Sequence, residues 1–135
     1  MAVASLLGAC AQPPAPPPPP VTVPPPVSFM TFFDWGSVKL SPQANATIAE
    51  AAQSYKSRGN GHVAVTGYAD TTGGDAFNMQ LSQRRADAVK GGLVGAGVPA
   101  TAITTAARGE SGLLVDTGPQ SKEPRNRRVE IVVGQ

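Results

Sequence analysis

The sequence has 135 residues, of which 41% are hydrophobic and 15% are charged, and a formal net charge of +2. A charge this close to neutral is too weak by itself to indicate a nucleic-acid-binding protein. With one cysteine, Cys10, and one histidine, His62, an intramolecular disulfide and a metal cluster of these residue types are both excluded, and we expect neither a metal nor a cofactor.

The first ten residues predict a lipid attachment site. Leu7-Gly8-Ala9-Cys10 resembles a bacterial lipobox, in which an aliphatic residue and two small residues precede the cysteine that receives the lipid. The apolar stretch is short for a signal and no Lys or Arg precedes it, which a start codon further upstream would explain. The alternative is an alanine-rich start with a cysteine there by chance. No apolar run reaches the roughly 18 residues of a transmembrane helix, so none is expected.

Residues 11–26 are rich in proline and predict an extended linker. Proline fixes φ and removes a backbone donor, so this stretch is expected to form neither helix nor sheet. As a polyproline II segment of about 3.1 Å per residue, it would span on the order of 50 Å and hold a domain away from a membrane surface. The alternative is a proline-rich ligand for a partner domain.

A folded domain is predicted over residues 27–135, with the order β-α-β-α-β-β. The predicted elements are a strand over 27–33, a helix that Ser41-Pro42 opens and Arg58-Gly59 ends, a strand over 62–68, a helix from Asp75 to about Ala96, and strands over 103–107 and 127–133. Ser41 and Asp75 are expected to cap the helices. The loop 109–126 is expected to be irregular, with at most a helical turn. The fold class is therefore α/β (α+β), a sandwich of a mixed sheet with the helices packed on one face.

The second predicted helix carries two polar side chains within its apolar stripe. On a helical wheel of about 100° per residue, that stripe consists of Phe77, Leu81, Ala88, Val89, Gly92 and Ala96. Asn78 and Arg85 fall inside it. An inward guanidinium needs partners, because an unpaired buried charge is costly. Asp70, in the loop before this helix, is the expected partner, so we expect Asp70 and Arg85 to meet at a crevice with Asn78 between them.

Periodicity alone leaves two interpretations of this acid–base pair open. One is a structural salt bridge that fixes the helix to the loop. The other is a clamp for a zwitterion, in which the carboxylate receives an ammonium group and the arginine receives a carboxylate bidentately. An ionised amino acid presents both groups on one carbon.

Five blocks of the sequence, in a fixed order, resemble a known family. The blocks are Gly67-Tyr68-Ala69-Asp70-Thr71-Thr72-Gly73, Asn78-Met79-Gln80-Leu81-Ser82-Gln83-Arg84-Arg85-Ala86, Gly97-Val98-Pro99-Ala100, Gly109-Glu110-Ser111 and Asn126-Arg127-Arg128-Val129-Glu130-Ile131. Together they resemble the OmpA-like domain, which is also found in Pal lipoproteins and flagellar stator proteins. The resemblance covers about residues 27–133, and it implies non-covalent binding of the diaminopimelate in peptidoglycan stem peptides.

The resemblance implies six residues at the diaminopimelate site, which are Asp70, Thr71, Asn78, Leu81, Arg85 and Arg127. It implies that Asp70 holds the amino group and Arg85 the carboxylate of one centre, with polar contacts from Thr71 and Leu81 packed beneath. Strand alternation predicts that Arg127 faces the helices and lies at the rim, whereas Arg128 points away into solvent.

The sequence departs from the family in its first turn. Many members carry a polar residue after Phe-Asp, whereas this chain has Trp35-Gly36. Trp35 has two interpretations, a core residue or a ring that stacks on a sugar, and we expect a core residue. The loop 113–122 has no assigned role.

The function implied is a tether between the outer membrane and the cell wall, on the periplasmic face of the outer membrane. The expected partners are peptidoglycan and, through the lipid on Cys10, the membrane, with no nucleic acid. An alternative is a Pal-like scaffold that acts mainly through Tol-type proteins. We do not expect an enzyme, because glycan hydrolysis needs two carboxylates that flank the bond and the available glutamates have no such motif around them.

The lipid-anchor hypothesis makes one direct prediction. Cys10→Ser should move the protein from the membrane fraction to the soluble fraction, because the thioether-linked lipid can no longer form. Fractionation and immunoblotting would measure this, with Gln12→Asn as a control that leaves the cysteine in place. Unchanged fractionation of Cys10→Ser would contradict the assignment.

Overall fold

The computed structural model describes residues 8, 10–20, 22–59 and 61–134. The elements, in chain order, are β1 (Val27–Phe32), α1 (Pro42–Arg58), β2 (His62–Gly67), α2 (Asp75–Gly95), β3 (Ile103–Ala107) and β4 (Arg128–Gly134), with short 3-10 turns at Ala100–Ala102 and Pro124–Asn126. The predicted order β-α-β-α-β-β is confirmed. Leu7 and Ala9 of the predicted lipobox lie outside the described residues.

The four strands form one mixed sheet in the order β1-β4-β2-β3. β2 and β3 are parallel, whereas β4 is antiparallel to both of its neighbours, β1 and β2. Alternate residues such as Val63 and Val65 of β2 and Ile131 of β4 are buried against the helices. The predicted fold class, an α+β fold with a mixed sheet, is therefore confirmed. In the part of the chain that the structure describes, every helix is too short or too polar to cross a bilayer.

The start of α1 agrees with the prediction from the sequence, whereas the start of α2 differs from it. At α1, the Ser41 hydroxyl accepts a hydrogen bond from the backbone N–H of Ala44, 3.0 Å away, and Pro42 is the first helical residue. At α2, Gly74 occupies the cap position without a side-chain hydrogen bond, so the prediction that Asp75 caps this helix is wrong. Asp75 is instead its first residue, where a negative charge favours the helix dipole.

The buried face of α2 is rotated from the predicted stripe. Leu81, Val89, Asn78 and Arg85 are buried as expected, but Phe77 is 57% exposed. The face that meets the sheet also includes Ser82, Ala86 and Leu93, which the wheel did not place there. The helix has this rotation because its backbone at Ser82 packs directly against Gly67, the last residue of β2. Phe77 is left at the edge of the contact between α2 and the sheet.

Two further expectations about side-chain environment, those for Trp35 and Arg128, are wrong, and the argument that set the direction of Arg127 does not apply. Trp35 is 57% exposed and is not a core residue. Arg127 precedes β4 and is not part of the strand, so strand alternation does not set its direction. Arg128 does point away from the helices, but it is only 3% exposed.

Arg128 is buried because a loop folds over the outer face of the sheet at this point. Its guanidinium carbon lies 3.8 Å from the centre of the Tyr68 ring, and its Nη2 donates to the Gly112 carbonyl at 3.0 Å. Its Nε donates to Glu130 at 3.0 Å. The second arginine of the Asn-Arg-Arg block therefore holds the loop that follows β3.

The proline-rich stretch runs up to β1 without helix or strand in its described residues, 11–20 and 22–26. Arg58, at the end of α1, donates to the carbonyls of Pro24 at 3.3 Å and Pro25 at 2.6 Å. The backbone of a proline has a carbonyl acceptor but no N–H donor, so it can pair with a guanidinium, which has only donors. This contact fixes where the stretch joins the domain, at the start of β1.

The contact between α2 and β2 depends on Gly67. A Cβ at this position would lie 1.9 Å from the Ser82 carbonyl oxygen and 3.3 Å from the Ala86 nitrogen, both backbone atoms that cannot move aside alone. We therefore expect Gly67→Ala to lower the free energy of unfolding by about 3 kcal/mol or more, measured by urea denaturation.

Gly91→Ala is the matched control for this substitution. A Cβ at Gly91, on the exposed side of α2, meets nothing within 4 Å. It should raise stability by roughly 0.5–1 kcal/mol, because alanine is the better helix former. If Gly67→Ala and Gly91→Ala changed the free energy of unfolding to a similar extent, the close approach of Ser82 to Gly67 would be contradicted.

Candidate functional site

The predicted site residues surround a small hollow, of about 130 Å³, between the end of β1, the end of β2 and the first turns of α2. The residues that line it are Trp35, Gly36, Asp70, Thr72, Gly73, Phe77, Asn78, Leu81, Arg85 and Arg127. Five of the six residues that the sequence predicts are therefore brought together. The exception is Thr71.

Asp70 lies three residues beyond β2 and is 3% exposed. Its Oδ1 accepts hydrogen bonds from the backbone N–H of Thr72, 3.0 Å away, and from the Thr72 hydroxyl. Its Oδ2 forms an ion pair with Nη1 of Arg127 at 3.2 Å. A carboxylate offers about four lone pairs, so Oδ2 retains one that can accept a further donor.

Arg85 enters the hollow from α2 and is 0% exposed. Its three nitrogens donate to backbone carbonyls: Nε to Ser37 at 2.9 Å, Nη1 to Tyr68 at 3.1 Å and Nη2 to Asp34 at 3.1 Å. Of the five N–H groups of a guanidinium, one on Nη1 and one on Nη2 remain for another acceptor. The side chain thus ties α2 to the ends of β1 and β2.

Burial lowers the pKa of Arg85 to about 10, while the negative charge of Asp70 opposes this shift and the positive charge of Arg127 adds to it. Arg85 therefore remains a cation at neutral pH. No direct ion pair joins it to Asp70 among the described residues, since the ion-pair partner of Asp70 is Arg127. Of the two interpretations that the sequence left open, the direct salt bridge between Asp70 and Arg85 is therefore wrong, whereas the two residues do meet at one hollow, as expected.

Asn78 and Leu81 complete the wall that α2 contributes. Asn78 is 1% exposed, and its Nδ2 donates to the backbone carbonyl of Asp70 and to Oε2 of Glu110, both at 3.3 Å. It therefore fixes the strand end that carries Asp70. Leu81, one helical turn on, supplies apolar surface between the polar groups.

Thr71 points away from the hollow and holds a loop. Its hydroxyl donates to the Gly118 carbonyl at 2.8 Å and accepts from the backbone N–H of Ser121 at 2.9 Å. The polar loop residue in the hollow is Thr72, which the sequence reasoning missed. An aspartate that accepts from the N–H two residues on is a common turn, so the Asp70-Thr71-Thr72 spacing was the available signal.

The loop 113–122, to which the sequence assigned no role, is fastened at several points. Besides the contact with Thr71, Val115 exchanges two hydrogen bonds with the buried side chain of Asn126, at 2.8 and 2.9 Å. At its end, Nζ of Lys122 lies 4.0 Å from the centre of the Trp35 ring. The loop thus supports the outer side of the hollow.

Two larger grooves lack the pair of Asp70 and Arg85, although the first is lined by charges of both signs, including Asp34 and Arg127. One, of about 680 Å³, runs along β1 and the start of α1 and contains neither Asp70 nor Arg85. The other, of about 460 Å³, is lined by Asp75 and Glu110 and by no basic residue. A hydrogen bond with Asp75, together with burial, raises the pKa of Glu110. Within the described ranges, no three His, Cys, Asp or Glu side chains converge as metal ligands would.

Comparison with known proteins identifies the family. The model of the OmpA family matches residues 32–127, which is more than half of the chain. The chain belongs to the OmpA family. An outer membrane protein of Gluconacetobacter diazotrophicus is 43% identical over 112 residues, which are 78% of this chain and 30% of that protein. The probable lipoprotein YiaD of Escherichia coli is 38% identical over 101 residues, 75% of this chain and 46% of YiaD.

Solved structures give the same result. The OmpA-like domain of FopA1 from Francisella tularensis has a TM-score of 0.72 and 30% identity, with 79% of this chain and 71% of that chain covered. The peptidoglycan-associated lipoprotein from Burkholderia pseudomallei has a TM-score of 0.71 and 27% identity, with 77% and 88% covered. The chain spans less than half the length of the two sequence relatives above. OmpA-like domains are structural rather than catalytic, and membership supports the prediction that the chain is not an enzyme.

The role of Arg85 in the fold can be tested by stability. Arg85→Met leaves the carbonyls of Asp34, Ser37 and Tyr68 without their donor, and the carbonyl of Tyr68 is buried. We expect the free energy of unfolding to fall by roughly 3 kcal/mol or more in urea denaturation. Arg84→Met, a change of the exposed neighbour, should stay within about 0.5 kcal/mol of the unchanged protein. Equal stability of both variants would rule out this role.

Proposed function

We propose that this chain binds peptidoglycan without catalysing a reaction, and that its hollow receives one ionised amino-acid centre of stem-peptide diaminopimelate. The observation that carries the proposal is the composition of the hollow, in which one carboxylate and two guanidinium groups lie together, nearly sealed from bulk water. All three retain hydrogen-bonding capacity after their contacts within the protein are counted.

Asp70 is the group that would receive the ammonium of the ligand. Its Oδ1 is occupied by Thr72, which sets the orientation of the carboxylate, and its Oδ2 has one lone pair beyond the contact with Arg127. Arg127 is the more exposed partner of this ion pair, at 12% against 4% for the side chains. An incoming ammonium would therefore approach Oδ2 from the side of Arg127 and share or replace that contact.

Arg85 would receive the carboxylate of the same centre. One N–H group on Nη1 and one on Nη2 have no partner within the protein, and together they would bind the two oxygens of the carboxylate. Three backbone carbonyls already hold the guanidinium in place, so little conformational freedom remains to be lost on binding. In a site that excludes water, each such charged hydrogen bond is stronger than at the surface.

The charge and size of the hollow agree with this ligand. Groups of both signs line the hollow, one carboxylate and two guanidinium groups, so a ligand that carries both an ammonium and a carboxylate would find a partner for each. A volume of about 130 Å³ is below the roughly 300–1,000 Å³ of pockets that enclose a whole drug-sized ligand. One amino-acid centre would fit, with the rest of the stem peptide outside.

The protein would carry out this function at the periplasmic face of the outer membrane. The names of the relatives, an outer membrane protein and a lipoprotein, support a location in the envelope. We assign residues 1–10 to a lipoprotein signal, 11–26 to a linker and 27–135 to the binding domain. Cys10 is exposed, as a lipidated residue must be, and the linker would let the domain reach the cell wall from the membrane.

The proposal predicts that the charge of Asp70 is essential for binding. Asp70→Asn keeps the shape and one acceptor oxygen for Thr72 but removes the negative charge. Affinity for purified sacculi should fall by about 1.5–3 kcal/mol, or roughly 10- to 150-fold, measured by co-sedimentation over a range of protein concentrations. Circular dichroism would show whether the fold is kept.

Asp87→Asn is the control, because it removes the same charge from an exposed site of α2 outside the hollow. It should pellet with sacculi like the unchanged protein. If Asp70→Asn also pellets like the unchanged protein, the hollow is not the binding site. The alternative role, as a scaffold for Tol-type proteins, would then be the one to pursue.

A further inference from the structure

We propose that Trp35 is a positioning residue of the diaminopimelate site, which acts through Thr72 to fix the carboxylate of Asp70. This inference rests on the proposed function and deepens it, because it states how the acid of the hollow is held in place relative to the base. Trp35-Gly36 is the point at which the chain departs from the family pattern, so the resemblance assigns Trp35 no role in the site.

The hydrogen bonds that join Trp35 to Asp70 have a direction that their chemistry fixes. Nε1 of Trp35 lies 3.0 Å from the Thr72 hydroxyl, and the same hydroxyl contacts Oδ1 of Asp70. An indole N–H can only donate, and an ionised carboxylate can only accept. The Thr72 hydroxyl therefore accepts from Trp35 and gives its one proton to Asp70. A water molecule in place of the indole could donate or accept, and would not impose this direction.

This direction decides which oxygen of Asp70 is offered to a ligand. Oδ1 accepts from the backbone N–H of Thr72, 3.0 Å away, as well as from the hydroxyl, so its two lone pairs are used. Oδ2, which pairs with Arg127, keeps the free lone pair. The terminal torsion of an aspartate is broad, and hydrogen bonds in series strengthen one another. The indole donor therefore helps to hold the carboxylate in one orientation.

The Trp35 ring is held by the turn that carries it and by a lysine. The backbone N–H of Ser37 donates to the Asp34 carbonyl at 3.0 Å, and Gly36 has a φ of +64°. These features define a β-turn with Trp35 at its second position. Nζ of Lys122 lies 4.0 Å from the centre of the ring, where the ammonium is attracted to the π electrons. Although Trp35 is 57% exposed, its indole is therefore supported from two sides.

The same turn also holds the base of the hollow. The carbonyls of Asp34 and Ser37 accept from Arg85 at 3.1 and 2.9 Å. Asp70 and Arg85 form no direct ion pair in the part of the chain that the structure describes, so other contacts must set their spacing. The turn contacts Arg85 directly and Asp70 through the indole and the threonine hydroxyl. It therefore links the two charges that would receive the carboxylate and the ammonium of the ligand.

A double-mutant cycle tests whether Trp35 acts through Thr72. Affinity for free meso-diaminopimelate is measured on the full chain by a nuclear magnetic resonance titration. Trp35→Phe keeps an aromatic ring but removes the donor, and it should lower the affinity about threefold or more. Thr72→Val keeps the shape but removes the hydroxyl, and it should lower the affinity about tenfold. In the Thr72→Val background, Trp35→Phe should cause no further loss, because the group on which the indole acts is gone.

Two further variants serve as controls for this cycle. Thr72→Ser retains the hydroxyl and should bind nearly as well as the unchanged protein. Thr104→Val makes the same change as Thr72→Val at an exposed threonine of β3 that does not line the hollow, and it should leave the affinity unchanged. Circular dichroism would show that each variant keeps the fold.

The indole N–H signal gives a second, spectroscopic test. Trp35 is the only tryptophan of the sequence, so this signal reports its hydrogen bond to Thr72 without ambiguity. In the unchanged protein, saturating diaminopimelate should shift the signal, because an ammonium at Asp70 draws electron density along the series of hydrogen bonds. In Thr72→Val, the signal should not respond to saturating ligand.

The outcomes separate this inference from the proposed function. If Trp35→Phe leaves the affinity unchanged, or lowers it equally with and without the Thr72 hydroxyl, Trp35 does not act through Thr72 and the inference is wrong. An indole signal that still shifts in Thr72→Val would also contradict it, since the ligand would then contact the ring directly. The proposed function would hold in both cases. If the unchanged protein does not bind diaminopimelate, the proposed function fails and the inference fails with it.

Discussion

The structure depends on one buried guanidinium. Arg85 is fully buried, and its three nitrogens each donate to a backbone carbonyl, two of them in the turn after β1 and one just after β2. These hydrogen bonds keep the cation stable in a place where an unpaired charge would not be tolerated. They also gather two strand ends around one side of α2, and this creates the hollow. The same side chain therefore builds the cavity and supplies its positive charge.

The other charged groups are arranged around this centre. Asp70 is oriented by Thr72 and paired with Arg127, and Asn78 fixes the backbone of Asp70 from α2. The result is a rigid set of charges with more positive than negative groups, and with donors and an acceptor still free. Such preorganisation favours a small zwitterion, because its charges can replace water without a rearrangement of the protein.

Local sequence patterns were sufficient for the fold and for bringing Asp70, Asn78 and Arg85 together, whereas Leu81 and Arg127 were assigned to the site by the family resemblance. The cap at Ser41, the helical spacing of α1 and α2 and the alternation in β2 depend on neighbouring residues, and each was predicted. The inward direction of Asn78 and Arg85 followed from the helical period alone. The partners of Arg85 could not be predicted, because backbone carbonyls carry no sequence signal and depend on the path of the turn after β1. Trp35, Phe77 and Arg128 were misplaced because loops between distant segments decide their exposure: a loop covers Arg128, and α2 rotates to bring Ser82 against Gly67.

The central claim is that an ionised amino-acid centre contacts Arg85 inside the hollow. Nuclear magnetic resonance of the arginine side-chain Nε–H groups, during a titration with free meso-diaminopimelate, tests this contact most directly. We predict that the Arg85 and Arg127 resonances shift together and saturably, and that those of the exposed Arg84 and Arg125 do not. 1,5-Diaminopentane, which has two ammonium groups but no carboxylate, should produce a much smaller change. Unchanged Arg85 and Arg127 signals at saturating diaminopimelate would contradict the account.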